Sequence, residues 1–222
     1  MFEYLIASLV NSIGDIFSDP SEGMSSDWIV GPDECGLSID TLGESVERVA
    51  GDMGLPVPGV YPAPDSFGEH LANDPTTLLD DQIGADPRIV DAINDRYADP
   101  HAYDVITAHE LGHAKIGASG LRDSLTPRAE EVLCDTQAGF YAGTKGLSPE
   151  IFHGEVGPAG SDAEHPEGIE RCRFFDKAYN LAHNYVFKDF QPITRDPTQA
   201  DKVVNLFNEV LSAYNNPSPD SH

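Results

Sequence analysis

Positive charge is what this chain has least of. Its 13 Lys and Arg stand against 38 Asp and Glu, a formal net charge of −25 over 222 residues. Lysine is confined to Lys115, Lys145, Lys177, Lys188 and Lys202. A surface of that sign repels phosphate backbones and anionic lipid, which argues against nucleic-acid partners and against docking on a membrane. It also repels itself, so the fold is expected to gain stability as salt screens it, as in the acidic, lysine-poor proteins of halophiles. A cationic partner is the other reading of the same balance. Cysteine is scarce as well. Cys35, Cys134 and Cys172 are odd in number and lie far apart with no Cys-x-x-Cys, which argues against a disulfide framework and points to reduced thiols in a cytoplasmic setting. No apolar run reaches the length of a spanning helix, and no glycine-rich phosphate loop is present.

What is there starts with helical spacing. Phe2, Leu5, Ile6, Leu9, Val10, Ile13, Ile16 and Phe17 recur on one face, so residues 1–25 are expected to hold an amphipathic helix and a linker. The segment lacks a basic n-region, which sets it apart from an export signal and leaves its apolar face for the core or for a second copy of the chain, as a homo-oligomer contact. Residues 26–214 are expected to form one α+β domain, mostly helical with a small sheet, and residues 215–222 a flexible tail. Asp27 to Val30 reads as a short strand. Ile39 to Met53 reads as a helix stopped by Gly54, and Val57 to Tyr61 as an edge strand in a proline-rich stretch. Asp65 to Asp74 reads as a loop. Thr77 to Ile83 is the best strand candidate, either an edge strand able to pair with a peptide or an ordinary interior strand. Asp86-Pro87 starts a helix, Thr126-Pro127 another that ends at Gly143, and Ser148-Pro149 a short one. Two helices, 167–187 and 197–214, close the domain.

The chemistry gathers at Ala108-His109-Glu110-Leu111-Gly112-His113. Asp99 and Pro100 suit the start of a helix and Gly117 its stop. Residues four apart share a helical face, so His109 and His113 can present imidazole nitrogens to one ion. Glu110 projects beside them, placed to take a proton from water. The plain alternative is a surface helix with two solvated histidines. Against it, Ala102, Val105, Ile106, His109, His113 and Ile116 form one stripe, which puts the histidines on the buried face. A catalytic zinc commonly takes three protein ligands and keeps one position open. The next helix offers Glu131 as the third, with Asp135 four residues on to accept the free N–H of a liganding histidine. Ala138, Gly139 and Ala142 would let the two helices approach closely. A solvated acidic face is the competing reading of Glu131 and Asp135, and Glu130, on a different face and without an Asp partner, is the fallback ligand.

His109-Glu110-x-x-His113 followed by Glu131-x-x-x-Asp135 and Ala138-Gly139, with His165-Pro166 and Arg171 later, resembles the gluzincin class of zinc metallopeptidases. It is similar to the bacterial neutral zinc metallopeptidases and to the soluble core of the HtpX-like peptidases, over about Val105 to Tyr179. The resemblance implies a zincin-like fold with a small sheet packed on the motif helix. It implies one zinc per chain held by His109, His113 and Glu131, with Glu110 as general base and Asp135 behind the ligands. It also implies a peptide or protein substrate. His165, His153, Tyr141, His183 and Arg171 are candidates to stabilise the transition state, and the resemblance favours His165 and Arg171. A zincin-fold protein that binds peptides or carries a structural metal without catalysis is the alternative function.

Overall fold

The computed structural model describes residues 40–71, 81–189 and 197–215. The expected N-terminal helix, the Asp27–Val30 strand, Cys35 and the chain beyond Asn215 lie outside these residues. Helix α1 (Asp40–Asp52) is followed by strands β1 (Gly59–Pro62), β2 (Glu69–Leu71) and β3 (Gln82–Ala85). Helices α2 (Pro87–Tyr97) and α3 (Asp104–Ala118) come next, then a 3-10 turn (Arg122–Ser124). Helices α4 (Pro127–Lys145), α5 (Glu150–Glu155), α6 (Gly168–Asp189) and α7 (Pro197–Tyr214) complete the described elements. Among the described residues the fold is mostly helical with one three-stranded sheet, an α+β arrangement. Among the described residues no helix is long and apolar enough to cross a membrane.

The sheet runs β1-β3-β2, with β1 parallel and β2 antiparallel to β3. Two expectations change here. The described end of the Thr77–Ile83 candidate is the central strand, its Ile83 and Ala85 fully buried, and so is not the edge strand. The edge strand beside the motif helix is instead β2, inside the stretch read as loop. Glu69-His70-Leu71 is too short and too polar to carry an alternating signal, and it pairs because β3 presents a free edge.

Helix α3 is buried along nearly its whole length and touches β2, β3 and α4. It starts at Asp104, later than the Asp99-Pro100 signal implied. Asp99 does cap, accepting from the His101 N–H at 2.9 Å, but Ala102 and Asp104 bond back over three residues (to Asp99 and His101), so the chain enters through tight turns. The helix runs through Gly117 and stops where Gly120 takes φ +70°. Helix α4 starts at the expected cap, with Thr126 Oγ1 accepting from the Ala129 N–H at 3.2 Å, and passes through Gly143 to end at Gly146 (φ +71°). Gly143 and Gly139 have a different use. A Cβ on either would fall 2.5 Å from the Tyr179 carbonyl oxygen or 2.4 Å from that of Phe175, both on α6. These glycines let α4 and α6 touch backbone to backbone, so Gly139 faces α6 and not the motif helix. Helix α4 thus lies between α3 and α6, with α7 closing over it through the Phe140–Phe207 ring pair.

Candidate metal centre

The centre exists because α3 and α4 meet at a residue without a side chain. A Cβ on Gly112 would lie 3.1 Å from the Cα of Cys134, so the helices close to near-contact one residue before His113 and one before Asp135. Helical spacing then aims His109 and His113 from one side and Glu131 and Asp135 from the other. The two histidine Nε2 atoms stand 3.3 Å apart. Glu131 Oε2 is 3.4 Å from His109 Nε2, and its Oε1 is 3.3 Å from His113 Nε2. Atoms bonded at about 2.0–2.1 Å to one tetrahedral ion are about 3.3–3.4 Å from each other, which is the spacing seen. His109, His113 and Glu131 could hold a metal ion.

The atoms behind these three are also placed. His109 Nδ1 lies 2.9 Å from Asp135 Oδ1, off the line of a straight hydrogen bond. Asp135, fully buried, is gripped by Arg171, whose Nε and terminal nitrogen each donate to it at 2.8 Å. His113 Nδ1 meets Glu130 Oε1 at 2.9 Å. On a helical wheel Glu130 falls on a different face from Glu131, so spacing gives no sign of this role. Glu130 reaches His113 because the loop between α3 and α4 brings the first turn of α4 alongside the end of α3. Each histidine therefore turns Nδ1 to a carboxylate and Nε2 to the centre, the orientation that keeps an Nε2 lone pair for a cation.

Charge follows the same logic. Burial opposes protonation of His109, but Asp135 and Glu131 outweigh it and lift its pKa to about 9. Burial opposes it at His113 too, and Cys134, Glu130 and Glu131 still hold His113 well above its ordinary value. For Glu131, burial favours the neutral acid and the two histidines overcome that, holding the carboxyl far below its usual range. The two histidines and Glu131 thus stabilise one another's charged forms in the absence of an ion.

Glu110, also buried, lies against the loop before β2, where a Cβ on Gly68 would fall 2.8 Å from its Oε1. Tyr103 ties that loop to α3 by donating to the Phe67 carbonyl at 2.7 Å. Ligand atoms and Glu110 open into one cleft of about 520 Å³, with Phe67, Ile106, Phe152 and Val156 as its apolar wall. His165 lines it, its Nε2 3.5 Å from Glu131 Oε2 and its Nδ1 3.0 Å from both oxygens of Asp162. Arg171 lines it too, but its donors are engaged with Asp135, and Glu131 is reached only at 3.5 Å. The other three candidates fall outside the cleft: His153 pairs with Asp176 at 2.7 Å, Tyr141 donates to Asp52 at 3.1 Å, and His183 stacks on Tyr179.

His70 joins the cleft through the fold alone. It stands on β2 with its ring parallel to that of His113, centroids 6.2 Å apart, and its Nε2 3.0 Å from Asp81 Oδ2. A lone histidine in a three-residue strand leaves no sequence signal, since its place comes from pairing with β3. Comparison with protein-family models, with curated proteins and with solved structures returned no match.

Proposed function

We propose that this chain is a zinc-dependent metallopeptidase of zincin-like fold. The observation that carries the reading is the convergence of His109, His113 and Glu131 at tetrahedral spacing in an open cleft that also receives Glu110. Two imidazoles, once deprotonated, and one carboxylate form a donor set suited to catalytic zinc, and a purely structural site has no use for the further carboxylate of Glu110 beside it. A bound zinc supplies Lewis acidity and makes water a nucleophile near neutral pH. Glu110 accepts the proton of the attacking water and returns it to the leaving amine. His165, oriented by Asp162, donates toward the negative charge that develops on the scissile carbonyl oxygen. Arg171 acts one step back, holding Asp135 against His109. Strand β2, at the sheet edge and beside the cleft, offers main-chain groups to an extended peptide. Buried free Cys134 and Cys172 support a reducing, cytoplasmic setting.

The test is the Glu110→Gln variant, purified beside the wild type with zinc per chain and hydrolysis of quenched peptides measured on both. The expected result is about one zinc in each protein and a loss of hydrolysis of about 100-fold or more in the variant. Equal activity removes Glu110 from the reaction. Metal binding with no hydrolysis in either protein favours a peptide-binding role.

A further inference from the structure

We propose that Arg122 is a positioning residue for the metal centre, holding His113 in its liganding orientation from two sides at once. The inference rests on the metal reading above. Arg122 sits on the 3-10 turn between α3 and α4, with its guanidinium at the wall of the cleft. A terminal nitrogen donates to the His113 carbonyl oxygen at 2.8 Å. Its Nε donates to Glu130 Oε1 at 3.1 Å, and that same oxygen is 2.9 Å from His113 Nδ1. The contacts close a ring: backbone of His113, guanidinium, Glu130 carboxylate, imidazole of His113. Within it the imidazole has one orientation, with Nδ1 on Glu130 and Nε2 toward Glu131 and His109.

The other histidine has the same layout, His109 on Asp135 and Asp135 on Arg171, so each ligand rests on a carboxylate that an arginine holds. The two supports differ in depth. Asp135 and Arg171 side chains are 0% and 10% exposed, whereas Glu130 and Arg122 are 15% and 33% exposed. The support of His113 is therefore the one nearer water, and Arg122 is the part that keeps it in place. Lysine cannot substitute, because one ammonium does not present two donors in the fixed directions that Glu130 and the carbonyl require.

The test measures Zn2+ affinity of the full chain by competition with a chromophoric chelator, for wild type, Arg122→Met, Arg122→Lys, Glu130→Gln and the Arg122→Met/Glu130→Gln double variant. Arg122→Met and Glu130→Gln are each expected to weaken Zn2+ binding by about 10- to 100-fold. The double variant should match the weaker single, because both act through one imidazole, and Arg122→Lys should also lose affinity. A general loss of structure would lower the melting temperature of the metal-free chain and would multiply in the double variant. Wild-type affinity in either Arg122 variant, or losses that multiply, overturns the proposal. Should Arg122→Met not fold, Arg122→Lys alone decides. A wild-type chain that binds no Zn2+ overturns the metal reading itself, a different result from wild-type binding that Arg122 does not affect.

Discussion

Replacing Gly68 by alanine should slow hydrolysis while leaving the fold and the metal affinity almost untouched. The added methyl would stand 2.8 Å from Glu110 Oε1 and 3.1 Å from Ile106 Cγ2. A carbon and an oxygen that are not bonded rest about 3.3–3.6 Å apart, so the carboxylate must retreat by roughly 0.5 Å or more. A displacement of about 1 Å in a reacting group can cost about 100-fold, which puts the expected loss in kcat/KM between about 10- and 100-fold. The stability cost is small because the atom that yields is the free end of a flexible side chain. Gly68 does not lie in the left-handed region, so alanine also restricts the unfolded chain, an effect of about 0.4–1 kcal/mol in favour of folding. The three nearest atoms belong to Glu110 and Ile106, and none to His109, His113 or Glu131. The assay is peptide hydrolysis alongside zinc affinity and melting temperature. An unchanged rate would refute the claim that Glu110 must sit where it does, and zinc loss in step with the rate would mean that the whole site had moved.

Glu131→Ala should weaken zinc binding by about 100-fold or more, since it removes one of the three proposed ligands, and full retention would point to Glu130 or His165 as the carboxylate or nitrogen in use. Zinc affinity should rise with pH up to about 9, because His109 must give up a proton before it can bind; a profile that levels off near pH 6.5 contradicts the raised pKa. For the metal-free chain the sign is the opposite. The stability that His109 gains from a pKa of about 9 in place of 6.5 is fully present below pH 6.5 and lost as pH rises to 9, so the melting temperature should fall across that interval. Melting across KCl concentrations should climb steeply for a chain of net charge −25, and a flat curve would sink the halophilic reading.

The parts of the site that the sequence makes legible are those set within a single helix. His109 and His113 are paired by the pitch of α3, and Glu131 and Asp135 by that of α4, so spacing alone puts each pair on one face. Helix starts at Asp86-Pro87 and Thr126-Pro127 are legible for the same local reason. What escapes is set by distant packing. Gly139 and Gly143 look like stops and small spacers until Phe175 and Tyr179 supply the backbone they touch. Strand β2 takes its identity from β3, and with it come His70 and Gly68. Glu130 looks misdirected on a helical wheel, because the His113 that it serves reaches it across the gap between α3 and α4.

The scarcity of cations bears on the choice between Glu130 and Glu131, which spacing leaves open. In a chain with 38 Asp and Glu, an acidic group near two histidines is unremarkable, and any of several could bind an ion loosely. Arginine is limiting, and two sit at this centre, one on Asp135 and one on Glu130. Each matches the charge of a carboxylate that already faces a histidine Nδ1, so these two carboxylates orient the ligands and do not compete with them for the ion. Glu131 meets Arg171 only at 3.5 Å, and both its oxygens face histidine Nε2 atoms. It is the carboxylate left available to a cation. On this argument the Arg122→Met variant should weaken zinc binding by loosening the hold of Glu130 on His113, and adding Glu130→Gln to it should cost nothing further, whereas a further loss in the double variant would mean that Glu130 had itself become a ligand.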